Sequence, residues 1–397
     1  MKRLWIVTEL FYPEETSTAY ILTKIANHLA GTVDVNVICG PALYDGAGRQ
    51  NAGGELDKRV KVHRVSGTKL NKNGLFTRVL RFAVLTWKLT KSLRKNLREG
   101  DEILVVTNPA PILLSAAAIR KRRGNKLYLL VHDVFPENTI PAGIIKSEKS
   151  FLYKLLKSCF DKAYAAADTL IVLGRDMKIV VEDKILAKGG KGNVVIVENW
   201  AELDKISPKR CMARGYVELQ YAGNLGRVQG LMELLQCIKS SSNSFLHITF
   251  YGEGAVKAQM QNFVKEQEMT NVSFKGSYKR DEQNVILNSC DLAVVTLADG
   301  MYGLGVPSKT YNILAAGKPI LFIGDENSEV AMMLKEYGIG FVFGAHDTEG
   351  LVAFMDGLSP NSCSTLEIMG RKAREIAELY YSESAIMQKY IDLFGKN

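Results

Sequence analysis

Short apolar runs alternate with longer stretches of helical periodicity along the whole chain. Residues 4–7 are continuously apolar, and 18–29 then place apolar side chains at helical spacing after a turn at Pro13. The pattern predicts further strands at 33–38, 60–65, 102–106, 127–131, 169–173 and 194–197. Helices are expected over 76–97, from Pro111 through Arg120, and over 151–167. The second half repeats this grammar, with strands at 217–221, 246–251, 272–274, 292–295 and 320–323. Its helices fall at 231–239, 256–268, 281–289, 310–316 and 328–337, and two more close the chain at 364–380 and 382–394. Strand–helix alternation implies parallel sheets covered by helices on both faces. A polar stretch, 199–208, carries Trp200, ends at Ser207-Pro208 and reads as a linker. The expectation is two doubly wound α/β domains, 1–200 and 209–378, with a terminal segment 379–397. Ligands of such domains bind at the carboxyl ends of the strands.

Length and composition agree. A chain of 397 residues, 47% hydrophobic and 23% charged, suits two globular domains. The cysteines at 39, 159, 211, 237, 290 and 363 are scattered without zinc-type spacing, which reads as reduced thiols in a cytoplasmic protein. The opening apolar run is too short for a signal peptide, and no stretch reaches the length of a membrane span. Charge changes the picture. Residues 1–200 carry a net +13 and residues 201–397 a net −4. Between 61 and 98 there are 11 Lys/Arg and no acid. An anionic partner of the first half, nucleic acid or membrane, is implied.

The densest chemical signal is 303–319, GLGVPSKTYNILAAGKP. Gly303 and Gly305 let backbone approach a ligand, Pro307 suits a first helical turn, and Ser308 and Lys309 stand at the helix start. That combination suits a diphosphate; the plain alternative is an ordinary helix–strand connection. A second glycine turn, Gly223-Asn224-Leu225-Gly226-Arg227, follows the 217–221 strand, and an arginine there can hold two oxygens at once. Its alternative is a surface arginine after a turn.

The run VPSKTYNILAAGKP resembles the donor-binding segment of GT-B glycosyltransferases of the family 4 type, and is most similar to their bacterial WbuB-like branch. The resemblance implies a GT-B fold, two Rossmann-like domains facing a central cleft, with the last helix crossing back to the first domain. It implies Arg227 and Lys309 as the clamp on the donor diphosphate. Gly223, Asn224 and Gly226 would line that site, with Gly303, Leu304, Gly305, Val306, Pro307 and Ser308. Gly252 and Glu253 match the loop below the nucleotide base, and Gly276, Ser277 and Tyr278 the turn that recognises it. On the donor side, Gln229 stands where a lysine is commoner beyond the arginine, and Leu304 and Asn312 stand where glutamates are usual. Asn312 is left to meet the ribose diol, and backbone N–H groups at 302–306 to meet the sugar.

In the first half, the 127–131 strand runs into His132-Asp133-Val134-Phe135-Pro136-Glu137. Histidine titrates near neutrality and moves protons, or it merely caps a strand end. His-Asp-x-x-Pro-Glu resembles the family's acceptor-side segment, which implies His132 as a contact near the reacting carbon and Asp133 as its orienting or proton-accepting partner. Glu9 and the loop 12–18, with Glu15, Thr16 and Ser17, follow the first strand; the resemblance implies that this loop reaches the donor phosphates and the acceptor, with Thr16–Thr18 in place of the family's usual paired glycines. There is no Asp-x-Asp, so the metal-dependent route is disfavoured, and no cofactor or metal is expected. Residues 75–98 form a basic amphipathic helix. On a wheel, Arg78, Arg81, Lys88, Lys91, Lys95 and Arg98 share one half, Leu75, Val79, Phe82, Leu85, Leu89 and Leu93 the other, and Trp87 the boundary. Such a helix suits an anionic membrane surface or packs on the sheet with a solvated basic face. Arg120, Lys121, Arg122, Arg123 and Lys126 add to the same charge.

The resemblance implies a retaining glycosyltransferase using a nucleotide-sugar, UDP-linked by expectation, and the absence of Asp-x-Asp points to a metal-independent one. It would act on a polyprenyl-diphosphate-linked glycan at the inner face of the cytoplasmic membrane, in surface polysaccharide (O-antigen) synthesis. The WbuB-like resemblance adds an N-acetylated amino sugar. A UDP-sugar 2-epimerase on the same fold is the alternative. Nucleic acid is not an expected partner, and a Rossmann dehydrogenase is disfavoured because no Gly-x-Gly-x-x-Gly follows the first strand.

Overall fold

The structure, a computed structural model, describes residues 2–14, 16–42, 55–67, 75–209 and 214–395; of 75–79 it describes the backbone only. The chain forms two compact units. The first comprises 1–137, 147–197 and 387–397; the second comprises 138–146 and 198–386.

The first unit holds a seven-stranded parallel sheet of order β3-β2-β1-β4-β5-β6-β7. Its strands are β1 (Arg3–Val7), β2 (Asp34–Cys39), β3 (Lys61–Arg64), β4 (Glu102–Val106), β5 (Leu127–Leu130), β6 (Thr169–Val172) and β7 (Asn193–Ile196). The central strands are buried on both faces, as parallel strands under helices must be. α1 (Ser17–Leu29) connects β1 to β2. α2 (Leu75–Asn96), α3 (Ile112–Arg123), α4 (Phe151–Ala165) and α5 (Arg175–Leu186) make the crossovers that extend the sheet the other way. Right-handed crossovers put α2–α5 side by side on the face opposite α1.

The second unit is a six-stranded parallel sheet of order β10-β9-β8-β11-β12-β13. Its strands are β8 (Val217–Ala222), β9 (Leu246–Tyr251), β10 (Val272–Lys275), β11 (Leu292–Thr296), β12 (Ile320–Ile323) and β13 (Gly340–Phe343). The helices are α6 (Leu231–Ser240), α7 (Lys257–Glu266), α8 (Gln283–Leu287), α9 (Lys309–Ala315), α10 (Glu329–Tyr337), α11 (Thr348–Gly357), α12 (Cys363–Tyr380) and α13 (Glu383–Gly395). Tyr221, Phe250, Leu292, Val294 and Leu321 centre its core. The final helix starts in the second unit, and its last residues group with the first, where Phe394 packs on Tyr128 at 4.4 Å.

Three elements escape the hydrophobic pattern: α5, β13 and α11. In α5 the inward residues Met177, Val181 and Ile185 stand among six charged ones, which blurs the periodicity. β13 is a short, half-buried edge strand beside β12.

Candidate functional site

In both sheets the chemistry collects at the carboxyl edge. In the second unit, two backbone loops are zipped together there. The N–H of Gly223 donates to the Tyr251 carbonyl at 2.9 Å, and that of Leu225 to the Glu253 carbonyl at 2.9 Å. Val256 returns a bond to the Leu225 carbonyl at 3.0 Å. The contact is so close that a Cβ on Gly252 would run into the Gly223 carbonyl, and one on Gly254 into the Leu225 carbonyl. These glycines are required by backbone-on-backbone packing.

Lys309, the first residue of α9, extends its side chain along Gly223; a Cβ there would lie 3.6 Å from Lys309 Cδ and 3.7 Å from Nζ. The ammonium nitrogen sits 3.3 Å from the centre of the Tyr221 ring. It is buried and has no hydrogen-bond partner among the described residues. Burial holds its pKa well below the usual lysine value. The phenol of Tyr221 donates to the Asn224 carbonyl at 2.9 Å, which fixes the ring under the amine. A buried, unpaired amine costs free energy until an anion joins it. Tyr221 escaped sequence reading because only the fold brings its ring under Lys309.

The other donor-side residues divide. Arg227 is exposed, and Gly226 before it is hemmed in by the side chains of Asn224 and Gln229. The Val228 carbonyl accepts from Ala298 N–H at 2.8 Å, tying this turn to the loop after β11. In that loop Gly303 has φ 66°. Leu304 is buried, and its N–H donates to the Met301 carbonyl at 3.1 Å, so it is not available to a sugar. The N–H groups of Gly305 and Val306 have no partner among the described residues. Pro307 accepts from Thr310 N–H at 3.1 Å, and the Ser308 hydroxyl makes no capping bond. Glu253 is exposed and paired with Lys257 at 2.7 Å. Gly276 and Ser277 are exposed after β10, and Tyr278 meets Tyr251 edge-on at 6.2 Å.

Asn312 corrects an expectation. Its side chain is buried; Oδ1 accepts from the N–H of Glu202 at 3.0 Å, and Nδ2 reaches Glu202 Oε1 at 3.4 Å. Arg280 binds the same carboxylate oxygen at 2.6 Å. The amide therefore fastens the linker to α9 and is not left open for a ribose diol. Glu202 itself, one of two acids in a polar linker, gave no signal in the sequence.

In the first unit, His132 and Asp133 follow β5. Both backbone N–H groups converge on the hydroxyl of Thr107, at 3.1 and 3.3 Å. This second strand end was invisible to sequence reading. Burial pushes the His132 imidazole down to about 4, so it is neutral at neutral pH. Its Nε2 is buried without a partner among the described residues. Among the described residues the Asp133 carboxylate makes no bond to the ring, and desolvation raises its own pKa. Two expectations change: the histidine does not titrate near neutrality, and Asp133 does not orient it. The loop is held instead by Glu137. Lys184 lies 2.7 Å from Glu137 and 2.5 Å from Asp161, and Lys157 lies 2.6 Å from Glu137. Lys184 and Asp161 are nearly fully buried, so this network fixes α4 and α5 to the His132 loop.

Glu9, after β1, is buried and pairs with Arg81 at 3.6 Å; burial outweighs that pairing and raises its carboxyl. Thr16 caps α1 by accepting from Ala19 N–H at 3.3 Å, and Ser17 is exposed. Glu15 lies outside the described residues.

Along α2 the basic face also divides. Arg81 turns to Glu9, and Lys88 donates to Ser66 and Gly67 at 2.9–3.2 Å. Lys91, Arg94, Lys95 and Arg98 remain exposed. Trp87 is 60% exposed, with Lys91 5.1 Å above its ring. Leu85, Leu89 and Leu93 are buried as the wheel predicts. Arg78 lies among the side chains not described. No helix among the described residues is long and apolar enough to cross a membrane.

Residues 210–376 match the family model described as glycosyl transferases group 1. A probable glycosyltransferase of Pseudomonas aeruginosa, WbjE, is 31% identical over 98% of this chain and 97% of its own. A putative colanic acid biosynthesis glycosyl transferase of Escherichia coli K12, WcaI, is 22% identical over 71% of each. Among solved structures, sucrose-phosphate synthase from Thermosynechococcus elongatus superposes with a TM-score of 0.77 at 13% identity, covering 99% and 98% of the two chains. Anabaena HepE in complex with UDP gives 0.69 at 14% identity, covering 99% of each. The paired Rossmann-like units are those of the GT-B fold, and the chain belongs to the group 1 glycosyltransferases.

Proposed function

We propose that this glycosyltransferase moves a sugar from a UDP-linked donor to a polyprenyl-diphosphate-linked glycan, in the synthesis of a bacterial surface polysaccharide. The observation that carries the donor assignment is the buried, unpartnered ammonium of Lys309 beside Gly223. A diphosphate oxygen would supply its missing partner, and exposed Arg227 would hold the outer oxygens. As the bond from the sugar's anomeric carbon to the diphosphate breaks, charge grows on the leaving oxygen, where Lys309 is waiting. The acceptor hydroxyl attacks that carbon with retention, and the leaving phosphate oxygen takes its proton. No protein base is then needed. His132, neutral and with a free ring nitrogen, would hydrogen-bond a sugar hydroxyl. UDP as the nucleotide is supported by the likeness to a UDP-bound neighbour. The surface-polysaccharide setting is supported by the colanic acid relative. An N-acetylated amino sugar as the transferred group rests on the WbuB-like resemblance of the 306–319 run. The relatives are named as transferases, so the epimerase alternative has no support and is set aside.

The acceptor's lipid places the enzyme at the inner face of the cytoplasmic membrane, with exposed Lys91, Arg94, Lys95 and Arg98 and the 120–126 cluster against anionic headgroups. The deciding experiment is calorimetric titration of the protein with UDP, GDP and CDP in EDTA. Micromolar binding of UDP alone, abolished in Lys309→Ala, is expected. Equal binding by Lys309→Ala, or preference for GDP, would overturn the donor assignment.

A further inference from the structure

The first turns of α4 expose Phe151 (80%), Leu152 (56%) and Leu155 (50%). The three share one face of the helix, while Tyr153 and Phe160 are buried on the other. The helix is well anchored: the Ser150 hydroxyl caps it by accepting from Tyr153 N–H at 3.2 Å, and the Lys157–Glu137 pair fixes its second turn. Exposed apolar side chains on a fixed helix are therefore a surface property, not fraying. Lys149 and Lys154 flank the patch along the chain and are exposed, as is Glu148 before them.

Neighbouring helices continue the pattern. α2, α3 and α4 lie side by side, and their N-termini all stand at the carboxyl edge of the sheet, since each leaves a strand there. Near those ends α2 exposes Leu80 and α3 exposes Leu114. Toward the opposite ends stand Arg94 and Lys95 on α2 and Lys121, Arg122 and Arg123 on α3, all exposed. Neither helix contains an acid. The layer thus grades from apolar beside Glu9 and His132 to basic at the far end.

We propose that the Phe151–Leu152–Leu155 patch inserts into the acyl boundary of an anionic bilayer. This rests on the membrane reading above and adds to it a site on α4 and an orientation. Aromatic and aliphatic side chains next to lysines are the combination an anionic lipid interface binds, by apolar burial plus headgroup attraction. Insertion at this end holds the carboxyl edge of the first sheet at the lipid surface, where a glycan on a lipid diphosphate emerges. The basic far end would add salt-sensitive attraction.

The test is co-sedimentation of the full chain with vesicles of phosphatidylglycerol and phosphatidylethanolamine, at low salt and at about 0.5 M NaCl, where surface charge is screened. In wild type a salt-resistant fraction should remain bound. The variant Phe151→Ser/Leu152→Ser/Leu155→Ser should lose it, with partition down about tenfold or more. Lys91→Glu/Arg94→Glu/Lys95→Glu should lose the low-salt component only. Unchanged salt-resistant binding in the triple-serine variant would overturn the proposal. So would a wild-type dimer that this variant dissociates, since a second copy would then cover the patch. UDP titration of the same samples keeps the donor reading separate: it should be unaltered in both variants, whatever the vesicles show.

Discussion

The amine of Lys309 stands 3.3 Å above the centre of the Tyr221 ring, buried and without a hydrogen-bond partner among the described residues. An aromatic face offers a cation some attraction but no hydrogen-bond acceptor, so the position favours the arrival of an anion. Lys309→Ala should lower kcat/KM by roughly 10²–10³-fold with the fold intact by circular dichroism. Tyr221→Phe, which keeps the ring, should cost far less than Tyr221→Leu. Steady-state kinetics on the two tyrosine variants check whether ring or hydroxyl matters.

The same amine makes donor binding depend on pH. In the free protein burial lowers its pKa, and a bound diphosphate would raise it again. Binding therefore takes up a proton between the free and the bound values, and across that range affinity falls as pH rises. Calorimetry in two buffers of different ionisation enthalpy should report that uptake in wild type and none in Lys309→Met. Stability runs the other way. Between the lowered folded value and the ordinary lysine value, the unfolded chain binds the extra proton, so this residue's contribution to stability increases with pH.

Gly252→Ala should disable the donor unit without touching any ligand. The new Cβ would meet the Gly223 carbonyl, and φ at Gly252 is 139°, a conformation few side chains adopt. A loss of about 1–3 kcal/mol and weaker UDP binding are expected. Gly357→Ala, at the end of α11, is the control, since a Cβ there would meet nothing within 4 Å. Urea denaturation and UDP titration of both variants make the comparison.

Lys184 neutralises two buried acids, Glu137 and Asp161. Lys184→Ala leaves both without it and should destabilise by about 3–5 kcal/mol. Burial alone would raise the Glu137 carboxyl, but the Lys184 and Lys157 ammoniums overcome this and hold it below its usual value. The sign follows from that lowering: the contribution is complete above the ordinary glutamate range and is lost as pH falls through the folded value. Acid denaturation of wild type and Glu137→Gln, followed by fluorescence, should show the variant less sensitive to pH there.

How much of this was legible beforehand depends on distance along the chain. The strand–helix grammar, the glycine turns and the SKTYN segment are local. Period-two and period-3.6 burial, and backbone conformations only glycine allows, are written in neighbouring residues. Thus the parallel α/β architecture and the places of Lys309 and His132 could be read directly, and the 303–319 resemblance pointed to the family. Partnerships could not. Asn312 stands at a ligand position by alignment, yet 110 residues away Glu202 claims its amide. Arg81 and Lys88 have the same charge as Lys91, but Glu9 and the 66–67 carbonyls draw them inward. His132 is neutral because the fold buries it, and Tyr221 matters because a strand end and a helix start meet. Sequence determined which groups the chain possesses and the elements that carry them. Tertiary structure alone decided which are desolvated, which are already paired, and which remain open to a substrate, because burial and pairing are set by residues far apart in the chain.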